Sequence, residues 1–273
     1  MLKLTFNRVL ASLAIDCMSN SFILDTSEDH SIIPKHICLC HIMWPEQIKA
    51  VYVLCHPEKE KGRYDRLIPH LISVGIPEDR IRICAPTWGS DLTVDQIFSA
   101  YNPFLQRGLP TLTFKAAGLS RGEISLGINF ATAVLDTVKR GDDGLIITFE
   151  SDVWLRSDFI PRLNDLLADA ANWDFISLGE GVGTRPPQAP LSYYSPTKAY
   201  KPPHQWVFRC TDSMLFTTGY LARLATTVMP FKEIIDWEMN YQLMLHKGVA
   251  LWADPPLAEQ GTCNSRLVTS LPT

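Results

Sequence analysis

The chain contains no apolar run of the roughly 18 residues needed to cross a bilayer, so no integral membrane segment is expected. It has no block of five or six like charges, and a net charge of −4 leaves it without the basic stripe of a nucleic-acid-binding protein. The densest charge run, EKEKGRYDR from Glu58 to Arg66, alternates in sign and suits a solvated helix start. Paired cysteine spacing is also missing. The seven cysteines (Cys17, Cys38, Cys40, Cys55, Cys84, Cys210, Cys263) are odd in number and scattered, which argues for reduced thiols and against a disulfide framework. Cys38 and Cys40, with His36 and His41 nearby, have one intervening residue where zinc pairs have two to four, and no second pair follows. At the N-terminus, Asn7, Arg8 and Asp16 interrupt a mildly apolar stretch and argue against a signal peptide. A cytoplasmic location follows as the expectation.

The chain does have ample material for a core: 46% of its 273 residues are hydrophobic. Residues 1–47 show no clear period and are read as an N-terminal extension packed on a main domain, 48–273. From Ala50 the pattern clears. AVYVLC reads as a strand, YDRLIPHLISVG as an amphipathic helix closed by Gly75, RIRIC as a second strand, and residues 93–108 as a helix broken near Pro103. Ser120 followed by Glu123 forms a capping box, and Ile124, Ile128, Ala131, Leu135 and Val138 define one face of the helix it opens. That helix ends on Lys139, Arg140 and Gly141, matching its dipole and the glycine preference at C-termini. LIITF is a continuous apolar strand of the kind buried on both faces. Strands and helices alternate to the end, with a proline-rich loop at 180–206 and a helix at DWEMNYQLMLHKG capped by Asp236. The expected fold is a three-layer α/β sandwich, Rossmann-like, around a mostly parallel sheet.

In such sheets ligands gather beyond the carboxyl ends of the strands. Glu150 and Asp152 follow LIITF directly, and residues i and i+2 of an extended segment face one side. Two carboxylates so placed suit Mg²⁺ or Mn²⁺. A structural role suits them as well, with Asp152 capping a turn and Glu150 paired to Arg156 or Arg162, and the residues alone leave both open.

The order of segments adds information. VYVLCHPEKEKGRYDRLIPHLISVGI, LSRGEISLGINFATAVL, GLIITFESDVWLRSDF, WDFISLG, DSMLFTTGYLARLA and IIDWEMNYQLMLHKGVALWADPPLAEQGT together resemble glycosyltransferase family twenty-five, from about Ala50 to Gln260. The resemblance implies a GT-A fold and transfer of a sugar, with inversion, from a nucleotide-sugar donor (a UDP-sugar favoured) to a hydroxyl of a glycan or glycoconjugate acceptor. It implies a metal site at Glu150 and Asp152, nucleotide contacts from Arg63, Asp65 and Arg66, a donor approach by Gln260, and a general base at Asp236 or Glu238. Two departures stand out. Ser151 replaces the middle acid of the family's metal motif, and Asn129 and Phe130 fall where many relatives carry Ser-His.

Each role has a plainer counterpart. Arg63 and Arg66 also suit a solvated helix face and Asp236 an N-cap; His246 suits a ligand or a satisfied surface histidine, and Trp206, Tyr193, Tyr194 and Tyr200 a sugar-stacking wall or ordinary loop packing. The alternative to an active transferase is a catalytically silent GT-A-like domain that binds carbohydrate or a partner enzyme. A metal-dependent phosphohydrolase would need further Asp or His ligands at other strand ends, and no convincing set is present.

Overall fold

The computed structural model describes residues 43–105, 118–179, 196–202 and 210–262. The Cys38–Cys40 pair, Trp206, Tyr193, Tyr194 and all of the expected extension before residue 43 lie outside them. Nine strands are described: β1 (Ile48–Leu54), β2 (Ile81–Ile83), β3 (Leu145–Glu150), β4 (Val153–Leu155), β5 (Phe175–Ser177), β6 (Lys198–Tyr200), β7 (Ser213–Thr217), β8 (Ala250–Asp254) and β9 (Ala258–Gln260). Six α-helices accompany them: α1 (Lys61–Ser73), α2 (Val94–Ala100), α3 (Arg121–Arg140), α4 (Phe159–Asp169), α5 (Thr218–Leu224) and α6 (Ile235–Leu245).

Seven strands form one sheet in the order β2-β1-β3-β7-β5-β8-β6, and β4 pairs with β9 in a separate ribbon. The fold is α/β, but the sheet is mixed. β2, β1, β3, β5 and β8 run one way, while β7 and β6 run against them. The expectation of a mostly parallel sheet thus holds for five of the seven strands, and β7 and β6 are the exceptions, because an apolar strand reads the same in either direction and its neighbours decide which it takes.

Side-chain alternation along β1 builds a core on each face. Val51 and Val53 join Leu67 and Leu71 of α1 and Phe159 and Leu163 of α4. Ala50, Tyr52 and Leu54 join Phe130 and Val134 of α3, Leu221 of α5 and Met239 of α6. Helices therefore cover both faces, giving the three layers. Each fully buried leucine or phenylalanine contributes about 1.5–3 kcal/mol of transfer free energy, so both helical layers are held chiefly by the strand residues beneath them.

The helix ends follow their local chemistry. Ser120 accepts from the Glu123 amide and the Glu123 carboxylate accepts from the Ser120 amide, the full capping box. Gly141 closes α3 with φ 67°, a left-handed conformation that glycine adopts without strain. A second capping box, Thr93 with Gln96, starts α2. The buried face of α3 differs from the expected one: Gly127, Phe130, Ala131, Val134 and Thr137 turn inward, while Leu135 and Val138 are exposed. Small residues at Gly127 and Ala131 let α3 lie close to its neighbours; a Cβ on Gly127 would stand 2.7 Å from the Phe231 ring.

Candidate functional site

The mixed sheet gathers acids at one edge. Leu54 of β1 pairs in register with Glu150 of β3. Because β7 runs antiparallel to β3, the residues just before it arrive beside the end of β3, and the Glu150 amide donates to the Asp212 carbonyl at 2.9 Å. Thr211 Oγ1 donates to Glu150 Oε1. Asp152 follows in the turn to β4, where its carbonyl accepts from the Gly261 amide at 2.8 Å and its Oδ2 from the Thr262 amide at 3.3 Å. β4 and β9, paired Val153 to Gln260, thus pin this turn in place.

A cleft of about 360 Å³ opens above this edge, and Glu150, Ser151, Asp152 and Gln260 line it. Its other walls come from Glu60, Arg63 and Trp88, from Arg121 at the start of α3, and from Asn129 about two turns further along the helix's buried face. Gly89 makes the close approach possible, since a Cβ there would lie 2.8 Å from the Gly122 nitrogen. The Arg121 side chain is held by donation to the Leu92 carbonyl at 2.7 Å. Asn129 is locked to Thr87: its amide oxygen accepts from the Thr87 amide at 3.1 Å and its nitrogen donates to the Thr87 carbonyl at 3.2 Å. Phe130 faces the core.

Ser151 is fully used. Its hydroxyl accepts from Arg63 Nη1 at 2.9 Å and donates to Glu60 Oε1 at 2.7 Å, and Arg63 lies 3.7 Å from the same carboxylate. Arg66 stands one helical turn further along α1. It donates to the Ser151 carbonyl at 3.0 Å and the Val153 carbonyl at 3.2 Å, and its guanidinium lies over the Trp154 ring. It braces the Asp152 turn from beneath, and burial followed by the nearby Arg63 lowers its pKa from the ordinary value. Asp65 points elsewhere, paired at the surface with Lys61. Of the three α1 residues expected near a nucleotide, only Arg63 lines the cleft.

The acids repel one another. Burial pushes the Glu150 carboxyl well above its usual range, and the charges of Asp152, Asp236 and Asp212 push it further, against the hydrogen bond from Thr211. Asp212, with no exposed surface, is pushed up to about 7 by burial in the first place, with Asp152 and Asp236 adding to it. Burial also raises Asp236, as does the charge of Glu123. Sequence reasoning missed Thr211 and Asp212. Their signal, an acid just before an apolar strand, becomes readable only once β7 is known to run antiparallel.

The late acids separate. Helix α6 begins at Ile235 with Ile234 as its N-cap, so Asp236 sits inside the first turn instead of capping it. Glu238 is fully buried; its Oε2 accepts from the Lys232 amide at 3.0 Å and its Oε1 from Gln242 Nε2 at 2.8 Å. It does not line the cleft. His246 is bonded to Thr227 Oγ1 at 2.7 Å and stands edge-on to Tyr220, and Tyr200 lies half-buried in β6. The structural alternative for Glu150 does not materialise, because Arg156 and Arg162 both pair with Asp158.

Fit to a divalent cation turns on Asp152. The residue is only 4% exposed, yet among the described residues its Oδ1 has no hydrogen-bond partner. A buried carboxylate oxygen left unpaired beside a cleft is costly, and hard oxygen donors suit Mg²⁺ or Mn²⁺. Among the described residues no three of His, Cys, Asp and Glu converge into a ligand group, so Asp152 and Glu150 would share such an ion with water or with ligand phosphates. No helix among the described residues is long and apolar enough to cross a membrane. No family model matches the chain, and no curated protein matches it.

Proposed function

We propose that the chain is a glycosyltransferase of GT-A type, moving a sugar from a nucleotide-sugar donor to a hydroxyl of a glycan or glycoconjugate. One observation carries this reading: Asp152, buried and with Oδ1 unpartnered among the described residues, lines a cleft that also holds Arg63 and Arg121. A carboxylate awaiting a cation, facing two guanidinium groups, matches the mixed charge of a diphosphate bound with a divalent metal. A bound Mn²⁺ or Mg²⁺ would neutralise the charge that builds on the departing nucleoside diphosphate.

The rest falls to the protein's own side chains. Arg63, oriented by Ser151 and Glu60, and Arg121, anchored on the Leu92 carbonyl, present fixed positive charge to the phosphates without reorganising during reaction. Trp88 and Leu54 offer apolar surface in the same cleft, suited to a nucleobase or ribose. Gln260, held by the β4–β9 ribbon, borders the donor. Asp236 is the candidate base for the acceptor hydroxyl, since its raised pKa brings it nearer to neutral pH, where a carboxylate removes a proton most effectively. Glu238 is not retained in that role, because both its oxygens are already engaged.

A screen of nucleotide-sugar hydrolysis tests the reading. Turnover of one donor by the wild-type protein, abolished in Asp152→Asn, is the expected result, and full activity in that variant would sink the assignment. The Arg63–Ser151–Glu60 network favours a second reading, a catalytically silent domain of the same type, because the middle acid's position is spent on internal contacts. Nucleotide binding without turnover of any donor would select it.

A further inference from the structure

A second opening lies along α1, away from the acid edge. Arg63, Arg66, His70 and Ser73 succeed one another at three- and four-residue steps and so share one face of the helix. This face lies against the segment running from Ser151 to Leu155: Arg63 meets Ser151, Arg66 meets Val153, and His70 meets Leu155. At its far end an open groove of about 610 Å³ is lined by His70, Trp154, Arg156, Asp158 and Glu259. From Arg63 to His70 the helix rises about 10 Å, so this groove is a separate place from the cleft above Asp152.

The groove is built, with its polar groups held in place. Trp154 lies between buried Val153 and Leu155 on β4 and projects to the other side of the ribbon, opposite Glu259 of β9. The Arg66 guanidinium sits 5.1 Å from its ring centroid and the His70 ring 5.2 Å away, tilted by 35°. His70 Nε2 accepts from the Leu155 amide at 3.0 Å; a ring nitrogen that accepts carries no proton, so the neutral ring presents Nδ1 as a donor. Asp158 is fixed by two arginines, Arg156 at 2.9 Å and Arg162 at 2.6 Å.

These features narrow the ligand class. The arginines lie against a carboxylate, and a further carboxylate, Glu259, lines the same groove, so a phosphate or other anion is poorly served. A purely apolar ligand would take the carboxylates of Asp158 and Glu259 and the His70 ring out of water with nothing in return. A half-buried indole beside the fixed His70 ring and Asp158 carboxylate, with Glu259 opposite it, fits a neutral molecule with an apolar face and a rim of hydroxyls. We propose that this groove is a second binding site that takes a neutral saccharide, with Trp154 as its stacking platform and Glu259, Asp158 and His70 Nδ1 as its hydrogen-bonding groups. The choice of a saccharide over other neutral polar ligands rests on the glycosyl-transfer reading. On that reading the groove holds a sugar of the acceptor remote from the reacting one.

The test is binding of the full chain to a printed array of neutral oligosaccharides, followed by titration of the best glycan. Wild-type protein is expected to retain at least one neutral glycan, and Trp154→Ala to weaken it by about tenfold, the size of one aromatic contact. Trp154→Phe keeps a ring and should keep most of the binding. Glu259→Ala should lose several-fold, and it carries the test if circular dichroism shows Trp154→Ala to be misfolded. No retained glycan, or equal binding by wild type and a folded Trp154→Ala, overturns the site. Glycan binding that needs Trp154, in a protein that turns over no nucleotide sugar, supports the site while overturning the reading it was drawn from.

Discussion

Two pairs of acids, each spaced by one residue, meet opposite fates. Glu150 and Asp152 leave an extended strand end, both line the cleft, and Asp152 raises the pKa of Glu150 through its charge. Asp236 and Glu238 lie on α6, where a separation of two residues turns roughly 200° about the axis. Asp236 turns the other way, and its charge adds to the rise of Glu150 and Asp212, while Glu238 turns into the core to bind the Lys232 amide and Gln242. The same rule sorts α1, where Arg63 and Arg66 share a face and Asp65 leaves it. Spacing in sequence becomes proximity in space only through the period of the local structure.

The comparison can be broken at either member of the helical pair. Asp236→Asn should lower turnover by about a thousandfold while leaving KM nearly unchanged, the signature of a lost base, and the melting temperature no lower, since burial also raises this carboxyl. Steady-state kinetics beside a thermal melt would check both halves. Glu238→Ala should do the reverse, costing about 3 kcal/mol in denaturant unfolding, because the Lys232 amide and Gln242 Nε2 lose their acceptor inside the core.

A smaller effect sharpens the strand side. The carboxyl of Asp212, raised to about 7, holds its proton more tightly folded than unfolded. Its contribution is therefore fully present below the ordinary carboxylate range and is lost as pH rises through about 7. Asp212→Asn should accordingly stabilise the protein by on the order of 2 kcal/mol at pH 8, after the cost of leaving an amide hydrogen unpaired, and the gain should vanish in acid. Urea unfolding at several pH values reads this directly. At the low end, Asp65→Ala should shift stability by less than about 0.5 kcal/mol and leave turnover alone, since its exposed pair with Lys61 is screened by water.

What could be read from the chain was local. The Ser120–Glu123 box and the glycine that closes α3 are contacts within one helix end, and the apolar runs of β1 and β3 announce burial whatever they pair with. Glu150, Asp152, Arg63 and Gln260 were legible as cleft residues through their place at strand ends and in the ordered segments. What escaped was non-local. The direction of β7, which brings Thr211 and Asp212 to Glu150, depends on strand pairing across more than sixty residues. The short β9 carries no strand signal of its own and forms because β4 is there to receive it. The exposed flank of α3 at Leu135 and Val138 was misjudged because helical period gives an apolar stripe but not its centre.

The central claim is that Asp152 and its cleft bind a nucleoside diphosphate together with a divalent cation. Titration calorimetry of UDP, with and without Mn²⁺, on the wild-type protein and on Asp152→Asn tests it most directly. The account predicts UDP binding that strengthens by at least tenfold with Mn²⁺ in the wild type and loses that metal dependence in the variant. UDP affinity indifferent to Mn²⁺, or a metal dependence that survives Asp152→Asn, would contradict it.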